Sequence, residues 1–326
     1  MLKKTALVTA VSAAMVLPAQ VMAQEVTFDF YGSARFQVES VNPDGADSYT
    51  GARDAYSRIG FNAEYAPTDN FAIVGQFELP LDLANREVRD PDSAAQDIRI
   101  AQIGVTGDFG GLYYGRQWLP YYNAIAYPVD MFNSYYTGFA TFAFFRVNDT
   151  LSYYSPSFSG FSFAGSWSKD GGSENAAGDS DDQITLTASY SFDDTTLSVG
   201  MSDFNGKYNA RVYGVSAMHS VGDWYFGAKY EVADNDGKSD GDYRANLFAS
   251  YTLGQHTFKG MVAKSEGYGE DVWHVGYGFQ ARSDLTLFAE YYSEDEGAAI
   301  SDQKRVGTEA VTDGGSAFAV GARFDF

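Results

Sequence analysis

The stretch Ala317-Phe318-Ala319-Val320-Gly321-Ala322-Arg323-Phe324-Asp325-Phe326 alternates from one end to the other. One parity reads Phe318, Val320, Ala322, Phe324, Phe326, and the other reads Ala317, Ala319, Gly321, Arg323, Asp325. Successive side chains of a strand point to opposite faces, so one face here suits an apolar medium and the other suits water. A half-buried strand of a soluble sheet carries the same signature. Repetition separates the two readings. Alternating segments of about ten residues recur down the chain, and no long apolar run follows the first two dozen residues. A strand with lipid on one side and water on the other must alternate, and every backbone group must be paired within the sheet, which a closed barrel achieves.

Reading outward from that segment, the same pattern marks sixteen strands, the first at 27–39 and the last at 316–326, with others at 56–65, 98–105 and 145–154. An even number fits an all-β, antiparallel transmembrane β-barrel whose ends lie on one side of the membrane. The connections alternate in length. Short turn-forming clusters such as Ala66-Pro67-Thr68-Asp69-Asn70 and Ser220-Val221-Gly222-Asp223 belong on the periplasmic side. Longer acidic, Gly-rich and Ser-rich stretches at 170–182, 233–242 and 293–315 belong outside. No linker interrupts the hairpins, so residues 24–326 are expected to form one barrel.

The N-terminus carries Lys3 and Lys4, an apolar stretch from Ala6 to Leu17, then Pro18 and Val21-Met22-Ala23. This pattern predicts a secretory signal peptide over 1–23, cleaved between Ala23 and Gln24, and hence an exported protein. The apolar stretch is shorter than the roughly 20 residues of a spanning helix. The formal charge of -21 argues against nucleic acid as a partner. Aromatic residues make up 16% of the chain, a content that suits two aromatic girdles around a barrel.

One long connection, 118–144, differs from the rest. It holds Tyr121, Tyr122, Tyr127, Phe132, Tyr135, Tyr136, Phe139, Phe142 and Phe144, with Asp130 as its one ionised side chain. So apolar a loop is expected to fold back against protein, and the available interior is the barrel lumen. Packing outside, on neighbouring loops, is the alternative.

In this order, Phe30-Tyr31-Gly32, Ser57-Arg58-Ile59-Gly60-Phe61, Gly107-Asp108-Phe109-Gly110, Tyr114-Gly115-Arg116, Leu151-Ser152-Tyr153-Tyr154-Ser155-Pro156 and the closing Phe326 resemble the Gram-negative general diffusion porins. The resemblance covers essentially the whole chain after the signal peptide. It implies a homotrimeric outer-membrane channel, an inward-folded third loop, and an acid on that loop facing arginines on the wall. Arg58, Arg116 and Arg146 fall where the family's wall arginines lie, and Asp130 matches the loop acid. Ser33 stands where several relatives carry a lysine, with Arg35 one pleat away, and Ser134 replaces a second loop acid, beside Tyr135 and Tyr136. The resemblance also makes Phe324 and Phe326 the signal for the barrel insertion machinery. It implies outer-membrane lipid and lipopolysaccharide as surroundings, ions and small hydrophilic solutes as cargo, and no cofactor or metal.

Strand parity supports the wall assignments independently. If Arg58 points inward, so do Tyr56, Gly60, Asn62 and Glu64, while Ile59, Phe61 and Tyr65 face lipid. Arg35 groups with Ser33, Gln37 and Glu39, opposite Phe28, Phe30, Phe36 and Val38. Arg146 groups with Asn148, Thr150 and Ser152, opposite Val147, Leu151 and Tyr153, although Asp149 then falls outside against the pattern. Guanidinium groups facing a negative loop across confined water filter solutes by size and charge without covalent chemistry. The alternative is that each arginine is a solvated lumen residue paired with a nearby acid. The excess of acids predicts mild cation selectivity. A substrate-selective porin, lined with aromatic residues for oligosaccharides, is the other reading of the loop. An enzyme is not expected: of the three histidines, His219 and His256 sit near turns, and His274 reads as a girdle or lumen residue.

Overall fold

In the computed structural model, β1 (Thr27–Pro43) is paired along both edges, and this closes the sheet on itself. One edge runs antiparallel to β17 (Gly315–Asp325), from Ser33 opposite Asp325 to Pro43 opposite Gly315. The other edge meets two segments in turn, β2 (Tyr49–Asp54) and β3 (Ser57–Thr68). The structure describes residues 26–91, 98–142, 144–169, 182–204, 210–237, 239–266, 270–301, 311 and 313–326. The segment expected as a signal peptide lies outside them.

The wall continues through β4 (Phe71–Leu81), β5 (Ile100–Gly107), β6 (Gly110–Trp118), β7 (Arg146–Tyr154) and β8 (Phe161–Ser168). Then come β9 (Gln183–Phe192), β10 (Thr195–Phe204), β11 (Ala210–Val221), β12 (Trp224–Asp234) and β13 (Tyr243–Leu253). It ends with β14 (His256–Ser265), β15 (Glu270–Arg282), β16 (Leu285–Glu294) and β17. From β3 to β17 each strand pairs antiparallel with the next in the chain, whereas β2 and β3 both pair with β1. Because β2 and β3 follow one another along a single edge of β1, the seventeen segments make sixteen crossings. The break between them falls at Ala55 and Tyr56, where Tyr56 takes a φ of 67°. Among the described residues no helix is long and apolar enough to cross a membrane, so the strands do the crossing.

Burial is inverted relative to a soluble protein. Phe28, Phe30, Phe36 and Val38 of β1 are exposed, whereas Ser33, Arg35, Gln37 and Glu39 are buried. Around the barrel, Ile59, Ile103, Leu186, Val215, Leu247 and Val275 are also exposed. This is the pattern of a wall turned toward lipid outside and polar groups inside.

The packed interior lies between the wall and the long loop after β6. Tyr136 and Ala140 pack with Val41, Val272, Tyr292 and Ala317, while Val129 and Phe132 pack with Phe248 and Met261. Tyr121 and Ile125 pack against Val212. The aromatic loop therefore folds into the lumen, and at its Tyr136 and Ala140 end it also shares a cluster with Ile300 of the long connection after β16.

Strand β7 corrects one parity. Gly115 opposes Thr150 but Gln117 opposes Val147, so Asn148 and Asp149 together face Arg116 alone. This β-bulge inserts an extra residue, with Asp149 at a φ of 48°. Thr150 and Ser152 stay buried on the lumen side, but Val147, expected outside, is buried, and Asn148, expected inside, is exposed. The outward Asp149 accepts a hydrogen bond from the Tyr114 hydroxyl at 3.2 Å, which accounts for its position.

Candidate functional site

The third loop enters the lumen as a wide helical turn over Tyr122–Ala126 followed by a 3₁₀ turn over Tyr127–Val129. The opposing wall is carved to receive it. A Cβ on Gly227 would lie 2.2 Å from the Pro128 carbonyl oxygen, and one on Gly214 would lie 2.4 Å from the Tyr121 hydroxyl. The close approach leaves room only for glycine at these two positions. Ser216 Oγ donates to the Ala124 carbonyl at 2.6 Å, and the Tyr225 hydroxyl donates to the Pro128 carbonyl at 2.8 Å.

Beyond Asp130 the loop is held by its own backbone. The buried carboxylate of Glu290 accepts the N–H groups of Asn133 and Ser134, each at 2.9 Å. Gln37 Oε1 accepts from the Tyr135 N–H at 2.8 Å, and Glu231 accepts from Thr141 Oγ1 at 3.0 Å and the Phe142 N–H at 3.2 Å. Lys259 Nζ donates to the Met131 carbonyl. His274 is fully buried beneath Phe132, its ring 3.5 Å away and nearly parallel, with Nε2 3.3 Å from Glu290. It is a lumen-wall residue that seats the loop.

Tyr135 stacks on Tyr56 at 5.6 Å and lies under the guanidinium of Arg53 at 4.1 Å. Tyr136 stacks on Tyr292 at 5.3 Å. Both tyrosines therefore clamp the loop to the wall, Tyr136 from a buried position and Tyr135 from a partly open one.

With the loop on one side, the arginines gather on the other. Arg58 lies 3.9 Å from Glu78, and Arg99 lies 2.7 Å from the same carboxylate. Asp90 bridges Arg99 to Arg146, whose NH2 is 3.1 Å from it. Arg35 donates through Nε to Ser33 Oγ at 2.8 Å. Asp130, on the loop, accepts a 2.5 Å hydrogen bond from the Tyr122 hydroxyl. Burial pushes its carboxyl above the usual range, while the Tyr122 hydrogen bond and then Arg35, Arg58 and Arg99 pull the other way. The Tyr122 hydroxyl is itself pushed up, by burial and then by Asp130.

Of the expected site residues, Arg35, Arg58, Arg146 and Asp130 share this region. Arg116 does not. The register pairs it with Ala101 on the face that carries the exposed Leu112 and Tyr114, and its NH1 donates to Asn148 at 2.9 Å. Its place is taken by Arg99, which parity groups with the exposed Ile103 but which lies just before β5, where its side chain turns to Glu78 and Asp90. Glu78 and Asp90 were also not anticipated. Phe324 and Phe326 are exposed and stacked at 5.6 Å, and Phe326 exchanges backbone hydrogen bonds with Gly32.

A closed barrel, a loop folded into it and opposed charges across the gap define a channel, and comparison with known proteins gives the family. The Gram-negative porin model matches residues 8–307, and the chain belongs to that family of outer-membrane channel proteins. A chitoporin of Vibrio furnissii is 29% identical over 204 residues, covering 58% of this chain and 56% of the relative. The chain thus spans just over half the length of that curated relative. Among solved structures, an anion-selective porin from Comamonas acidovorans is 17% identical with a TM-score of 0.71, over 93% of this chain and 100% of that one. OmpF of Salmonella typhi, in complex with daunomycin, is 18% identical with a TM-score of 0.69, over 92% and 97%. At these identities the structural likeness shows the sixteen-stranded fold.

Proposed function

We propose that this barrel is a water-filled outer-membrane pore for passive diffusion of ions and small hydrophilic solutes, mildly cation-selective and assembled as a homotrimer. The observation that carries the reading is the row of ion pairs Arg58–Glu78–Arg99–Asp90–Arg146 on the wall of a barrel whose third loop, bearing Asp130, folds inward. A sixteen-stranded barrel leaves an aqueous channel, and a charged constriction inside it sorts solutes. Four wall arginines, Arg35, Arg58, Arg99 and Arg146, face three carboxylates, Glu78, Asp90 and Asp130. The local excess is one positive charge against a chain total of -21, which supports weak cation preference. The trimer is supported by the family and by a relative of the same fold, OmpT of Vibrio cholerae, described in a trimer form. The exposed apolar wall suits outer-membrane lipid and lipopolysaccharide, and Phe324 with Phe326 is retained as the signal read by the insertion machinery.

A test is single-channel recording in a planar bilayer under a potassium chloride gradient. Replacing Arg35, Arg58 and Arg99 together by glutamine is expected to move the reversal potential further toward potassium. An unchanged potential would remove these arginines from the constriction. The second reading, a channel selective for oligosaccharides, is favoured by the aromatic loop and by the likeness to a chitoporin.

A further inference from the structure

Beside the charged constriction lies a cavity of about 300 Å³ lined by Gln102, Tyr113, Gln117, Trp118, Asn123 and Tyr154. None of these side chains carries a charge near neutral pH, although Trp118 is flanked by the Arg146 guanidinium at 4.5 Å and stacked on Tyr122 at 4.4 Å. The cavity is continuous with a run of neutral groups along the wall. Gln102 Nε2 donates to Gln76 Oε1 at 2.9 Å, and Gln76 Nε2 donates to the Tyr31 hydroxyl at 2.9 Å. On the far side, Gln117 Nε2 donates to the Thr150 carbonyl at 2.9 Å and Asn123 Nδ2 to the Tyr154 hydroxyl at 3.1 Å.

We infer that this cavity is a binding subsite for a neutral sugar ring. The inference rests on the reading of the barrel as an open channel and names a substrate class for it. Three amides, two phenols and an indole offer hydrogen-bond donors and acceptors interleaved with ring surface. A pyranose presents the matching surface, hydroxyls interleaved with C–H groups. An anion would be drawn to the arginines instead, and a purely apolar molecule would leave the free acceptor oxygens of Gln102 and Asn123 and the Tyr113 hydroxyl without a partner. The Tyr113 hydroxyl, Asn123 Oδ1 and Gln102 Oε1 make no hydrogen bond to the described residues, so they are open to a ligand. The volume lies at the lower end of small-molecule sites, enough for one ring of a chain threading the pore.

Ion-current recording with maltotriose and with the N-acetylglucosamine trimer added at millimolar concentration tests this on the full chain. Wild-type channels are expected to show transient blockades, scored as residence time per event and normalised to each channel's own open current. Tyr113→Phe removes one hydroxyl and no ring, and Asn123→Ala alters an exposed side chain, so neither threatens folding. Together they are expected to shorten residence by about tenfold, as the loss of one to two hydrogen bonds implies. Blockades as long in the double variant as in wild type would overturn the subsite. So would normal wild-type conductance with no blockade by either sugar, which would leave the channel reading intact. A folded barrel without conductance would overturn that reading and the subsite with it.

Discussion

Replacing Glu290 by alanine is expected to free the tip of the third loop and make the channel wider and noisier. In the folded protein the carboxylate is buried and accepts two backbone N–H groups at 2.9 Å, with His274 Nε2 at 3.3 Å. Hydrogen bonds to a charged acceptor contribute about 1.5–3 kcal/mol each, so the two backbone bonds hold 133–134 to the wall by about 3–6 kcal/mol. Even the lower figure is roughly a hundredfold in the balance between docked and undocked tip. The loop does not leave altogether, because Gln37 still accepts from the Tyr135 N–H and Glu231 from Thr141 and Phe142. Single-channel recording should therefore show raised open-state noise and a higher mean conductance, with the barrel still folded by heat-modifiability on gels. Glu290→Gln keeps one accepting oxygen and should fall between alanine and wild type. A Glu290→Ala channel with wild-type conductance and noise would refute the idea that this carboxylate sets the constriction.

Two further outcomes follow from the same geometry. Gly227→Ala places a Cβ 2.2 Å from the Pro128 carbonyl oxygen and should cost about 1–3 kcal/mol through overpacking, lowering the unfolding temperature of the barrel, whereas Gly260→Ala, whose Cβ meets nothing within 4 Å, serves as the control. Because burial raises the Asp130 carboxyl, it takes up a proton earlier on acidification than an exposed aspartate does; cation preference should begin to fall before exposed aspartates titrate, and Asp130→Asn, measured by reversal potential, should show the acid value throughout.

Alternation made the wall legible. The segment expected at 316–326 appears as Gly315–Asp325, and that expected at 145–154 appears as Arg146–Tyr154. Period-two reading works wherever lipid on one side and water on the other force a strict pattern. It fails where the chain leaves that regime. Tyr49–Asp54 sets Gly51 between Thr50 and Ala52 and ends in Arg53-Asp54, too short and too mixed to show an alternation, yet it pairs with β1 from Phe36 to Val41. The bulge at Asn148 and Asp149 reverses parity within one strand. Arg99 was lost for a related reason, since its parity belongs to the outer face while its side chain belongs to the lumen. Inward parity was readable for Glu290, but its partners Asn133 and Ser134 lie more than 150 positions away, and only the folded loop brings them together.

The distribution of counter-charges would make an arginine-rich constriction compatible with the proposed cation preference. An isolated row of guanidinium groups would give the wall a field strong enough to exclude cations, because each stays ionised at every relevant pH. Here the row is interrupted. Glu78 sits between Arg58 and Arg99, and Asp90 sits between Arg99 and Arg146, so each acid is shared by two arginines. Pairing at this range confines the field to a few ångströms, and beyond about 8–10 Å mobile ions screen what is left. A permeating ion at the mouth therefore meets the acidic surface first and the charge pattern of the constriction only in passing. Arg35 differs from the others in the row, since its Nε donates to the neutral Ser33 hydroxyl. Asp130 is the acid of the loop rather than of the wall, held by the Tyr122 hydroxyl, so replacing Arg35 or Asp130 by a neutral residue is expected to shift the reversal potential more than replacing an arginine already shared with a wall carboxylate.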